Sequence, residues 1–273
     1  MARSNLTSAS CALCWMLSPD ALIMLGNSFG TSGLMFLVPF VIGAIISILV
    51  IILTNHPALA ITNNSSFTQL ATAAGLLPAM ALTLASRLCL VLLLPTGMLV
   101  TAGFTFNETF IYWFPNFAFS FLLLGTILTL HLAGDRVARA AQPLFIGLTI
   151  CSLVILCFAG LFGPQVLEST EIKPGSQFSL HIPLVFTSLL LFLGYDQPEP
   201  SPSSDSRRYY TLAVITGFII LTLWGFVSLK HVPQTKLANS TIPYIISARE
   251  ILGQPGRTII AIAIISGTCG VVN

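Results

Sequence analysis

Gly26-Asn27-Ser28-Phe29-Gly30-Thr31-Ser32-Gly33 puts glycine, hydroxyl and amide residues into the middle of an apolar segment that continues on both sides, Ala21 to Leu25 and Leu34 to Phe40. A bilayer crossing takes about 20 apolar residues, and the flanked segment is long enough. Each glycine costs about 1 kcal/mol in helix propensity. A span weakened in this way is expected to leave the α-helical ladder, and bare N–H and C=O groups at membrane depth persist only around a cavity or ligand. The stretch therefore reads as a binding site. Gly26 and Gly30 also fit a second reading, since small residues at helical spacing serve close helix–helix packing.

A later interruption favours the first reading. The apolar run Leu189 to Leu193 ends abruptly in Gly194-Tyr195-Asp196-Gln197-Pro198. Two interrupted segments at corresponding positions of two halves point to the substrate site of an inverted-repeat transporter.

Composition sets the class. Of 273 residues, 55% are hydrophobic and only 7% are charged, against about 25% charged in an ordinary soluble domain. An integral, multi-pass membrane protein is expected, with the lipid bilayer as its first partner. The formal net charge of +2 is too small to imply nucleic-acid binding. Cysteines at 11, 14, 89, 151, 157 and 269 lie mostly in apolar runs, where they act as small hydrophobes. Cys11 and Cys14 form a lone CxxC without the second ligand pair that a metal site needs.

Apolar run lengths place spans at roughly 17–38, 40–60, 78–103, 113–132, 143–163, 178–195 and 209–229. The polar piece 231–257 reads as a short surface-lying helix, and 259–272 as a partial eighth span that marks a truncated chain or a fragment. Arg3, Arg136, Arg139, Arg207 and Arg208 fall on one side of this scheme and Lys173 on the other, which puts the N-terminus in the cytoplasm of a plasma or inner membrane. Arg87 lies inside a span. It is either functional or an arginine snorkelling to the cytoplasmic face.

Several short motifs resemble the amino acid–polyamine–organocation (APC) superfamily of permeases. The glycine-rich first helix is followed by Phe36-Leu37-Val38-Pro39. The fourth-to-fifth connection runs His131-Leu132-Ala133-Gly134-Asp135-Arg136, then Gln142, then Ala159-Gly160-Leu161. The sixth helix carries Phe192-Leu193-Gly194-Tyr195-Asp196, and an eighth would carry Ser266-Gly267-Thr268-Cys269-Gly270-Val271-Val272-Asn273. The resemblance covers most of 18–273. It departs in the spacing of the first break, in Pro198, Pro200 and Pro202 after the second, and in stopping within the eighth helix of a family built on five helices plus five inverted ones. The expected fold is thus an all-α, inverted-repeat helical bundle, incomplete, with 1–163 as the first repeat and 178–273 as part of the second.

The resemblance implies a secondary transporter that holds an amino acid or related amine between broken helices one and six. Gly30, Thr31, Ser32 and Gly33 would receive the carboxylate, because the N-terminal end of a half-helix offers free N–H groups and a positive dipole end. Carbonyls near Leu193 and Gly194 would suit the ammonium, with Phe192 and Tyr195 packed over the substrate. Asp196 is open to two roles, pairing with the amine or a proton, or standing in water at a helix end. Sodium-independent relatives often carry a lysine on the fifth helix. None lies between Pro143 and Gly163 here, so sodium coupling through Ser266, Thr268 and carbonyls of the first break is expected, with protons as the other coupling ion.

Other classes fit less well. An intramembrane enzyme would need a His-rich cluster, paired carboxylates or a nucleophile elbow, and the sequence has none. His131 and Asp135 share a helical face but fall at a helix end, where they serve as a charged cap. The early stop keeps a non-transporting remnant or accessory subunit as the alternative. The topology has a direct test. Reporter fusions at Arg139 and Lys173 are expected to signal from opposite sides, and same-side signals would overturn the scheme.

Overall fold

The computed structural model describes residues 2–54, 66–163, 182–194 and 204–273, and every element among them is helical. Helix α1 (Ala2–Met16) leads through Leu17 and Ser18 into α2 (Pro19–Ser32). A single 3-10 turn, Gly33–Phe36, joins α2 to α3 (Leu37–Thr54). Then come α4 (Ser66–Ala74), α5 (Leu76–Leu88), a π-helical turn over Cys89–Leu93, and α6 (Leu94–Thr109). Helices α7 (Asn116–Leu132) and α8 (Asp135–Phe162) follow. The remainder comprises α9 (Ile182–Leu190), α10 (Ser204–His231), the short α11 (Gln234–Ala238), α12 (Pro243–Leu252) and α13 (Gln254–Val272).

Five helical runs are long and apolar enough to cross a membrane: Pro19–Leu53, Leu76–Thr109, Asp135–Phe162, Arg208–His231 and Gln254–Val272. The chain is an all-α membrane protein. Asn116–Leu132 is apolar but shorter. The sixth expected span is described only over 182–194. The final helix starts at Gln254 rather than 259, because Pro255 sits in its first turn, where a missing N–H costs nothing.

The longest run is not a straight rod. Met16 lies against Gly217 of α10 and Phe29 against Gly225, so the chain advances along α10 through α2. Phe40 of α3 then stacks on Phe218, with ring centroids 5.2 Å apart. The chain therefore reverses between Ser32 and Leu37. Gly33 makes this possible with φ 58°, a left-handed value that strains any other residue, and its N–H closes the helix on the Phe29 carbonyl. The hairpin of α2 and α3 thus takes the place of the two spans expected at 17–38 and 40–60.

An aromatic stack fills the centre. Phe29 meets Phe36 edge-on at 5.3 Å, Phe36 stacks on Phe40 at 5.8 Å, and Phe40 stacks on Phe192 at 5.0 Å. Trp224 is also fully buried. Aromatic pairs at these separations add about 0.5–1.5 kcal/mol each beyond area burial. The outer surface is apolar as well. Leu77, Leu82, Leu84, Val91 and Leu93 on the α5–α6 run are exposed, as a lipid-facing helix requires.

One helix end is closed by a side chain from its neighbour. Lys230 Nζ donates to the carbonyls of Gly160, Leu161 and Gly163 at 3.1, 2.8 and 3.1 Å. His231 Nε2 lies 2.8 Å from the Gly160 carbonyl. These are the free carbonyls that end α8, and a cation there complements the negative end of the helix dipole. Lys230→Met is expected to destabilise the bundle by about 1–3 kcal/mol, because it leaves the part-buried Leu161 and Gly163 carbonyls without their side-chain donor. An unchanged unfolding temperature in detergent would show that water replaces the ammonium without loss.

Candidate functional site

The break expected within Gly26–Gly33 lies elsewhere. Residues 26–32 remain α-helical, and the backbone departs from the helix only at Gly33. The glycines serve approach between helices instead. A Cβ on Gly26 would stand 2.6 Å from Pro243 of α12, and one on Gly30 would collide with the backbone of Ala238 in α11. Asn27, with its amide oriented to satisfy both groups, donates to the carbonyls of Leu237 at 2.8 Å and Ser240 at 3.1 Å. The polar stretch thus binds α11 and the turn after it. The 231–257 segment correspondingly forms two helices, and α12 is no surface helix, since Tyr244, Ile245 and Ala248 are buried.

Thr31 and Ser32 therefore occupy the carbonyl end of α2, where the dipole is negative. Thr31 is exposed and donates its hydroxyl to the Ser28 carbonyl at 3.1 Å. That end repels a carboxylate. The expected role for Gly30, Thr31, Ser32 and Gly33 as a carboxylate cradle is corrected on this physical ground.

The interruption that does exist is at Leu17 and Ser18. Leu17 N–H still reaches the Leu13 carbonyl, Ser18 N–H bonds to Trp15, and a new helix begins at Pro19. Ser18 is extended at ψ 159°, and its Oγ accepts the Ala21 N–H at 3.3 Å. Ser at the cap, Pro next and an acidic residue in the first turn make a regular helix start. Ser18-Pro19-Asp20 is the local sequence signal for that start, and the first expected span, at 17–38, runs straight across it.

The turn that ends α9 packs on the last turns of α1, before the first interruption. Leu191–Gly194 is a turn after α9, with Gly194 at φ 113°. A Cβ on Gly194 would stand 2.7 Å from Trp15 Cβ and 3.1 Å from the Ala12 carbonyl oxygen. Phe192 is fully buried in the aromatic stack against Phe40, which leaves no face free to cover a ligand. Tyr195 and Asp196 lie outside the described residues.

A third element closes on the same region. A Cβ on Gly267 of α13 would lie 3.4 Å from the Leu17 carbonyl oxygen and 3.5 Å from Thr149 Oγ1 of α8. Thr149 Oγ1 is 3.0 Å from Ser266 Oγ and 3.3 Å from the Ala263 carbonyl. Ser266 also bonds back to the Ile262 carbonyl at 2.6 Å. Thr268 is fully buried, and its hydroxyl has no partner among the described residues. Nothing local in the sequence places Thr149 opposite Ser266, since the two are 117 residues apart.

Two further groups stand out. Asp20, in the first turn of α2, lines a cavity of about 320 Å³ with Cys89, Leu90, Leu93, Leu94 and Gly97. Tyr244 is buried against α6, with its hydroxyl 2.8 Å from Thr105 Oγ1. Burial pushes its phenol above the ordinary range, the Thr105 hydrogen bond lowers it, and the nearby Asp20 carboxylate raises it further. At one end of the bundle His131 Nε2 is 3.1 Å from the Asn273 carbonyl, Asn273 Nδ2 donates to Gln142 Oε1 at 2.7 Å, and Gln142 Nε2 donates to the Gly270 carbonyl at 2.7 Å. His131 and Asp135 line a cavity there of about 330 Å³ beside Cys11. No group of three His, Cys, Asp or Glu side chains suited to a metal occurs among the described residues.

Arg87 is exposed on the α5–α6 run, 22 residues before Thr109. At 1.5 Å per residue that is about 33 Å, close to the thickness of the hydrocarbon core. An exposed arginine that far along the run fits the snorkelling alternative.

The fold and site define a class, an all-α membrane protein in which the turn that ends α9 packs on the last turns of α1, just before the break between α1 and α2. Comparison of the sequence with protein-family models gives no match, and comparison with curated proteins gives none either. The packing of that turn on α1 has its own test. Gly194→Ala forces a positive φ and a clash on Trp15, and is expected to cost about 1–3 kcal/mol. An unfolding temperature equal to that of the parent chain would mean the turn relaxes away from α1.

Proposed function

We propose that this chain is a multi-pass secondary transporter of the APC type for amino acids or related amines, with substrate held between the Leu17–Ser18 break and α13. The observation that carries the reading is the break at Leu17–Ser18, with Gly267 of α13 beside the Leu17 carbonyl and the Gly194 turn packed on the last turns of α1. Helix interruptions are costly at membrane depth unless they serve a ligand or line a cavity, and the break between α1 and α2 has the Leu17 carbonyl beside Gly267 of α13. The polar convergence of Thr149, Ser266 and Ala263 lies beside it.

The cytoplasmic face in this reading carries Arg136, Arg139 and the N-terminus. The opposite face carries α11, α12 and the ion pair of Arg257 with Glu108, 3.7 Å apart. Helices α11 and α12 cover the outer end of α2 through Gly26, Asn27 and Gly30. They form the outer closure of the pathway.

Hard oxygen donors suit sodium, and the unpartnered buried hydroxyl of Thr268 is a group whose desolvation a cation would offset. Ser266 and Thr268 would hold the ion, joined by Thr149 and the Leu17 carbonyl. When bound, the ion supplies a positive charge that pins α13 and α8 to the interruption. Ser18 keeps the start of α2 capped, and the Gly194 turn holds α1 in place beside it.

Uptake into vesicles containing the purified chain tests this. Labelled amino acids and amines are expected to enter faster than in protein-free vesicles, several-fold faster in sodium than in choline, with Thr268→Val removing the difference. Equal rates in both salts would remove sodium. Absence of uptake in either salt would leave the remnant or accessory-subunit reading.

A further inference from the structure

Asp20 is a carboxylate inside a membrane-spanning run, and an ionisable group there is expensive unless something pairs with it. Among the described residues it has no hydrogen-bond or ion-pair partner. The groove it lines is otherwise apolar: Cys89, Leu90, Leu93, Leu94 and Gly97 supply the rest of the wall. The groove is open along one side and has a volume of about 320 Å³.

The wall has a built irregularity. Pro95 has no N–H to offer the Val91 carbonyl, and the preceding turn, Cys89–Leu93, is π-helical, with Leu94 N–H bonded back to the Cys89 carbonyl. Such single π turns occur often at functional sites. Gly97, two residues beyond Pro95, has open space where a Cβ would stand. The widened turn and the missing side chain leave the groove in front of Asp20.

The donors near this carboxylate decide which ligand fits. Pro19 has no N–H, the Ala21 N–H is held by Ser18 Oγ, and the Leu22 N–H is held by the Ser18 carbonyl. The start of α2 therefore has little left to offer an anion, and Asp20 repels one. Leu90 and Leu93 are 52% and 69% exposed, so the groove opens on the lipid-facing flank of the helix. A ligand entering there needs an apolar body and one positive charge.

We infer that the Asp20 groove binds a lipophilic primary amine without a carboxylate, its ammonium on Asp20 and its body against Leu90, Leu93 and Leu94. This rests on the transport reading and adds to it a separate amine site at the start of α2, distinct from the place where the transport substrate is held. The other end of α2, with its carbonyls pointing outward, offers a carboxylate no better home.

The test uses the full chain in lipid nanodiscs with two labelled probes, 2-phenylethylamine and phenylalanine, which differ by the carboxylate. The amine is expected to bind at least about tenfold more tightly than phenylalanine, and Asp20→Asn to weaken it by at least about tenfold, as loss of a charge-assisted hydrogen bond implies. Asp20→Glu should restore much of the binding, and Leu93→Trp should block it while leaving the charge. Both variants and Asp20→Asn are checked for unaltered elution on gel filtration. Phenylalanine binding as tightly as the amine, or amine binding indifferent to Asp20→Asn, would overturn the inference while leaving amino acid transport standing. Failure of both probes to bind, together with absence of uptake in vesicles, would overturn both.

Discussion

Backbone polarity in an apolar solvent is the constraint on which the structure depends. Each N–H and C=O at membrane depth needs a partner, so a helix can be interrupted only where something closes the gap. At Leu17 and Ser18 the partners are local: the Leu13 and Trp15 carbonyls take the last N–H groups of the first helix, and the Ser18 side chain takes the first of the second. The Leu17 carbonyl lies toward Gly267 of α13, and the Gly194 turn packs on Trp15 and Ala12 just before the break.

Glycine recurs at these crossings for a steric reason. Gly194 and Gly33 hold positive φ, whereas Gly26, Gly30 and Gly267 let another element approach the backbone closely. The two uses look alike in a sequence. They differ in consequence, since the first fixes the path of one chain segment and the second fixes the distance between two.

Polar side chains divide in the same way. Lys230, His231 and Asn27 are spent on the carbonyl ends of helices, and their chemistry is consumed there. Thr268 and Asp20 are not spent, and an unspent polar group in an apolar solvent is where ligand chemistry has room to act. Ser266 lies between the two cases, bonded to its own helix and to Thr149 at once.

The all-α membrane class was legible from run length and charge scarcity, because lipid leaves few ways to pair a backbone. The interruption after Leu193 was legible too, since glycine follows an unbroken apolar run. The place of the first interruption was not. Gly26 to Gly33 carries the stronger local signal, yet Pro243 and Ala238 pack into its glycines and hold it helical, while the modest Ser18-Pro19-Asp20 is where the helix restarts. Helix propensity is worth about 1 kcal/mol per glycine, and a backbone hydrogen bond lost in lipid costs several. Packing across about 210 residues of chain decided the matter, and the sequence records no such distance. Only the tertiary structure set Thr149 opposite Ser266 and Asp20 opposite a π turn, because each pair lies on helices that no local pattern brings together.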